Sequence, residues 1–145
     1  TVIDFPNVAA LGREYVAEEG LSERIGFIDG NALDTDWPTG QDAILMSYLF
    51  SGVPGDAHAG LVSRAFDTLA PGGLYMSHDF VVDADRTGPK LAALWQLQHT
   101  AFTPTARSLD AATLADMMTK AGFEDVSVGE MIPGLTMLAT GRRPG

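Results

Sequence analysis

Apolar and polar residues along the 145-residue chain alternate between strand-like and helix-like periods. Val2-Ile3 is a short β-branched run ending at Asp4. Pro6 follows, suited to the first turn of a helix because its missing N–H is harmless there. Val8, Leu11, Tyr15 and Val16 then recur at helical spacing, and Gly20 is placed to end that helix. Residues 24–28 (Arg-Ile-Gly-Phe-Ile) predict a second strand, closed by Asp29-Gly30-Asn31. Residues 42–50 are nearly continuous apolar sequence, the pattern of a strand covered on both faces. Asp56 is placed to cap a helix that carries Leu61, Val62, Ala65, Phe66 and Leu69 on one side, ended by Pro71-Gly72-Gly73.

The second half repeats the alternation. Residues 74–82 predict a strand and residues 90–99 a helix with Leu91, Leu94, Trp95 and Gln98 at its spacing. Ser108 or Asp110 caps the next helix, which contains Leu114, Met117 and Met118 and ends at Ala121-Gly122-Phe123. Val126 and Val128 alternate with polar residues, and Pro133-Gly134 turns the chain into a last strand over residues 135–140. Strand–helix alternation implies an α/β fold with a mostly parallel sheet, and the closing hairpin adds an antiparallel strand.

Charge and composition narrow the function. Nine Lys and Arg against 19 Asp and Glu give a formal net charge of −10, which disfavours nucleic acid and anionic membranes as partners. Zero cysteines exclude disulfides, thiolate zinc sites and cysteine nucleophiles. The three histidines are scattered and no acidic cluster has ligand spacing, so no metal site is expected. No apolar run approaches the roughly 20 residues that span a bilayer, and the expected location is cytoplasmic. The opening Thr1-Val2-Ile3 lies inside an expected strand without a starting Met, as in a piece of a longer protein.

Three local motifs carry a family resemblance. Asp4-Phe5-Pro6-Asn7-Val8 resembles the Asp-Leu-Pro segment after the second strand of class I small-molecule O-methyltransferases. Leu69-Ala70-Pro71-Gly72-Gly73-Leu74 resembles their turn before strand five, and Ala121-Gly122-Phe123 the segment before strand six. The motifs stand in the family's order across nearly the whole chain. The resemblance implies a Rossmann-like class I methyltransferase sheet with S-adenosylmethionine as cofactor, a small-molecule acceptor and a homodimer in the full-length protein. It also implies that residues 1–145 form a partial domain, in which the first strand and its Gly-x-Gly-x-Gly loop are missing from the middle of the sheet.

On that resemblance, Asp4 would accept the ribose hydroxyls; the alternative from the residues alone is a cap for the helix after Pro6. Asn31 stands where the family has an acid that reads the adenine amino group, and an amide oxygen can accept the same bond. The alternative is an ordinary turn. Ala32 and Leu33 would flank the adenine, and Asp29 is a substitute acid. Ser47 and Tyr48 would line the methionine and acceptor side, with Tyr48 otherwise a core residue.

Ser51 stands where many members carry the His that deprotonates the acceptor, and a serine without a neighbouring base is a poor general base; on the resemblance it would face the acceptor with Tyr48. His99 and His78 are the substitute candidates, whereas His58 reads as a solvated residue. Trp95 and Phe102 would line an aromatic acceptor pocket; Met117 and Met118 read mainly as core. Three functions remain open: methyl transfer to an oxygen of a small aromatic or polyketide-like molecule, a non-methylating tailoring reaction such as hydroxylation, and a non-catalytic module.

Overall fold

The computed structural model describes residues 1–145, which divide into two compact units, residues 1–38 and 39–145. In the first, β1 (Val2–Asp4) pairs in parallel with β2 (Phe27–Asp29), Asp4 standing beside Asp29. Parallel strands need a crossover, which α1 (Pro6–Glu18) supplies. Phe5 occupies the N-cap with no side-chain bond, so Asp4 does not cap the helix. Gly20 turns the chain away at φ +67°. Helix and sheet approach closely at Gly12, where a Cβ would lie 2.6 Å from Phe27 Cε1. Arg13 passes over that ring at 5.4 Å and reaches Asp29 at 2.5 Å. The second strand starts at Phe27 rather than Arg24, because Arg24 and Ile25 donate their N–H groups to the Leu21 carbonyl in a turn. Val8, Leu11 and Tyr15 stay exposed, at 45%, 48% and 59%.

The second unit holds a four-stranded sheet in the order β3-β4-β6-β5. Here β3 is Gln41–Ser47, β4 Leu69–Asp79, β5 Glu124–Ile132 and β6 Thr136–Arg142. β3 and β4 are parallel; β6 runs antiparallel to both β4 and β5. β1 and β3 are each hydrogen-bonded along one edge only. The mixed α/β architecture, with its closing hairpin, matches the expectation. The limits of the strands differ from it. β3 stops at Ser47, not at Phe50, because Tyr48 takes a left-handed φ of +53° and a 3₁₀ turn follows over Phe50–Gly52. Its apolar run is not covered on both faces, since Leu45 is 58% exposed. β4 begins at Leu69, five residues early, taking the Pro71-Gly72-Gly73 motif in as an irregularity opposite Gln41–Ala43. Phe80 to Val82 lie beyond its end.

Helix α2 (His58–Thr68) starts at an Ala57 N-cap with no side-chain bond. Asp56 instead sits in a separate 3₁₀ turn, Gly55–Ala57. Helix α3 runs Lys90–Phe102, a turn longer than expected, and α4 runs Ala111–Ala121. Of the two candidate caps for α4, Asp110 is the one used: its carboxylate accepts the Thr113 N–H at 2.8 Å. Gly122 ends α4 at φ +103°. Leu61, Val62 and Ala65 of α2, Leu114 and Met118 of α4, and Tyr75 and Phe123 are all buried. Tyr75 stacks on Phe123 at 5.1 Å, and Phe123 meets Phe66 edge-on at 5.1 Å. The helices therefore cover the sheet with rings and branched chains rather than with polar groups. A smaller cluster of Phe80, Val82 and Ala92, with Trp95 and Leu135 against it, joins the end of β4 to α3.

Because Asp110 caps α4 through a side-chain acceptor, Asp110→Ala should lower the unfolding free energy by about 1 kcal/mol. Urea denaturation of the two proteins measures it; an unchanged midpoint would show that the cap contributes nothing.

Candidate functional site

In open α/β sheets ligands bind beyond the carboxyl ends of parallel strands, and most of the sequence candidates lie at such ends. In the first unit, Asp4 Oδ1 accepts the Phe5 N–H at 2.8 Å, leaving Oδ2 without a partner in the chain. Asn31 Oδ1 accepts the Leu33 N–H at 3.0 Å and its Nδ2 donates to Asp34 at 3.2 Å. That is the turn expected of an Asn, and Oδ1 keeps a second lone pair. Ala32 gives its carbonyl to the Trp37 indole N–H at 3.1 Å. Asp29 is engaged by Arg13, so it is a poor substitute for an adenine-reading acid. A side chain at Gly30 would force Thr35 to move, since a Cβ there would fall 1.8 Å from Thr35 Oγ1. A carboxylate with a free oxygen at a strand end, followed by an amide with a spare lone pair, fits a ribose diol and an adenine amino group.

In the second unit the alternation of β4 sorts the chemistry. Tyr75, Ser77 and Asp79 are buried, while Met76 and His78 on the other face are half-buried. Asp79 Oδ2 accepts the Ser51 N–H at 3.2 Å, and Oδ1 accepts the Phe80 N–H at 2.7 Å. Burial pushes the Asp79 carboxyl above its ordinary value, against the pull of these donors from Ser51 and Phe80. The carboxylate thus ties the Phe50–Gly52 turn to the end of β4. Ser51 is 1% exposed. Its hydroxyl is enclosed without a well-formed hydrogen bond, although it lies close enough to Asp79 to help hold the negative charge.

His58 is not solvated, as the sequence suggested, but 2% exposed. Its Nε2 lies 3.0 Å from the Phe50 carbonyl, so a neutral ring carries its proton there. Burial lowers its pKa, against the raising effect of that carbonyl and the Val53 carbonyl. The solvated reading failed because the 3₁₀ turn over Gly55–Ala57 moves the helix start and turns residue 58 inward.

On the other face of β4, His78 Nδ1 lies 3.3 Å from Ser47 Oγ and Nε2 2.9 Å from Thr136 Oγ1. From His78 a series of rings runs outward. Tyr48 meets His78 at 4.8 Å and Phe80 at 5.2 Å; Phe80 stacks on Trp95 at 4.4 Å, with 20° between the planes; Trp95 meets His99 at 5.2 Å. His99 rests over the Phe50–Gly52 turn, where a Cβ on Gly52 would lie 3.6 Å from Cε1 and 3.7 Å from Nδ1.

The structure therefore brings together Ser47, Tyr48, His78, Trp95 and His99. It places Ser51 in the core behind them and leaves Phe102 outside the series, 80% exposed. Met118 is buried among core residues. Phe80 and Thr136 were missed as partners in this arrangement. Phe80 read as one more apolar strand residue. Thr136 lies 58 positions from His78, with no local signal that they meet.

A family model described as an O-methyltransferase domain matches residues 1–124. The 3-hydroxy-5-methyl-1-naphthoate 3-O-methyltransferase of Streptomyces sahachiroi is 29% identical over 126 residues, 87% of this chain and 36% of its own. The S-adenosylmethionine-dependent methyltransferase SibL, solved in its apo form, is 27% identical, with a TM-score of 0.82 over 99% of this chain and 43% of its own. An O-methyltransferase family protein from Burkholderia thailandensis gives a TM-score of 0.85 at 21% identity, over 99% of this chain and 43% of its own. The chain thus spans a little over a third of the curated relative, at 36%.

The depressed His58 pKa has a sign. The unfolded chain binds a proton at His58 that the folded chain resists, so stability is lost as pH falls below the ordinary 6.5 toward the lower folded value. His58→Gln removes that titration. The stability difference between wild type and variant should therefore move in the variant's favour from pH 7 to pH 5, read by urea melts along the pH series. A constant difference would place no linked proton at this ring.

Proposed function

Since the chain belongs to the O-methyltransferase domain family, we propose that the full-length protein transfers a methyl group from S-adenosylmethionine to an oxygen of a small aromatic or polyketide-like molecule. The observation that carries this reading is the exposed Tyr48 and the half-buried Trp95, packed on either side of the buried Phe80 beyond the carboxyl ends of β3 and β4. Flat rings of this kind favour an aromatic acceptor, by stacking and by excluding water. S-adenosylmethionine, when bound, supplies an electrophilic methyl group on a sulfonium. Asp4 takes the ribose hydroxyls through its free carboxylate oxygen; Asn31 accepts from the adenine amino group, with Ala32 beside the ring. Within the second unit, Tyr48 and Trp95 serve the acceptor. The Streptomyces sahachiroi relative, named for methylating a hydroxynaphthoate oxygen, supports this acceptor class.

Residues 1–145 on this reading are part of a longer methyltransferase, which also supplies a glycine loop and further strand pairing. The single-edge pairing of β1 and β3, and the exposure of Leu45 at 58%, support it. A homodimer and a cytoplasmic location belong to the same proposal, the first tested by ultracentrifugation of the full-length protein and the second by cell fractionation. No helix is long and apolar enough to cross a membrane.

Full-length protein incubated with methyl-labelled S-adenosylmethionine and a panel of hydroxynaphthoates and phenols should yield labelled methyl ethers; no labelled product and no cofactor binding would sink the reading. Asp4→Ala should weaken S-adenosylhomocysteine by about 10- to 100-fold in calorimetric titration, the worth of hydrogen bonds to a charged acceptor. Unchanged affinity would remove Asp4 from the site.

A further inference from the structure

We infer that His99, at the outer end of the ring series, is the catalytic base that takes the proton from the acceptor hydroxyl. The inference rests on the acceptor-side reading above and deepens it. A base must present a free ring nitrogen next to the acceptor, and the three histidines differ on that point. His58 is 2% exposed, its Nε2 held by the Phe50 carbonyl. His78 has both nitrogens engaged, by Ser47 and Thr136. His99 is half-buried on the outer half of α3, and its ring has neighbours but no hydrogen-bond partner in the chain. A neutral imidazole always carries one nitrogen with an open lone pair.

Position matters as much as availability. The Asp79 carboxylate fixes the Phe50–Gly52 turn, and the imidazole lies within van der Waals reach of Gly52 on that turn. Trp95, one helical turn before His99, supports the ring from the Phe80 side. An aromatic acceptor lying against the exposed Tyr48 and the half-buried Trp95 would thus bring its hydroxyl to His99. In the step, the acceptor O–H bond breaks and an N–H bond forms on the imidazole. The oxygen keeps the electron pair for the new bond to carbon, and the imidazolium later releases its proton to water. Ser51, buried behind this surface, takes no part.

The test uses the full-length protein, its H99N and H99Q variants, and 2-naphthol as probe. Ring nitrogen signals of His99, followed by NMR, should shift on titration with 2-naphthol. The variants should melt like wild type and lose about 100-fold or more in kcat, while KM for donor and for 2-naphthol stays within about threefold. The loss should shrink steadily across a series of more acidic phenols, which need less help to ionise. Unmoved His99 signals, or variants within twofold of wild-type kcat on every phenol, would overturn the assignment. If the wild-type protein methylates nothing, the reaction proposed above fails. His99 is then judged by the nitrogen signals alone, a shift supporting it and no shift ending it.

Discussion

The alternation of β4 is the constraint on which the second unit depends. Successive side chains of a strand point to opposite faces, so one short run, Tyr75 to Phe80, serves two purposes. Tyr75, Ser77 and Asp79 enter the core, where Tyr75 stacks on Phe123 and its hydroxyl reaches the Met46 sulfur at 3.4 Å. His78 goes to the other face, where Ser47 and Thr136 hold it. A shift of one residue in the pairing of β4 would exchange these sets and bury the ring that Tyr48 meets. The register is secured on both sides, by parallel pairing with β3 and antiparallel pairing with β6.

Burying the Asp79 carboxylate works against stability, because a charge leaves water. The N–H groups of Ser51 and Phe80 offset part of that cost. In exchange the turn over Phe50–Gly52 is tied to the sheet, and with it the floor beneath His99. The same turn supplies the carbonyl that holds His58. Three histidines, alike in the sequence, thereby acquire three different settings: one buried and disfavoured as a cation, one bound on both sides, and one open. Local strain accompanies this arrangement. Tyr48 adopts a left-handed φ of +53°, an uncommon conformation for a large residue and one that gathers at functional positions.

Several short-range signals carry over directly to the structure. Pro6 at the start of α1, Gly20 and Gly122 at helix ends, and the Asp110 cap all act within a few residues. Other expectations differ from the structure where the backbone turns while the side-chain pattern continues. β3 was read three residues too long because its apolar run continues to Phe50 while the backbone reverses at Tyr48. Asp56 has the right side chain for a cap, but the turn before α2 places Ala57 at the cap. His58 was read as solvated from its place near a helix start, whereas the contact that buries it comes from the Phe50 carbonyl.

By itself the sequence determined the alternating α/β class, the closing hairpin, most helix limits and the family motifs, because periodicity and turn chemistry are properties of neighbouring residues. It also supplied nearly every side chain of the ring series as a candidate. Tertiary structure decided which candidates meet and what each one faces. Ser51 and Ser47 are the same residue type four positions apart, yet one is 1% exposed behind Asp79 and the other opens toward His78. The reason is physical: burial and pairing are set by strands and turns that lie tens of residues away in the chain, and composition or spacing carries no record of which of them will arrive.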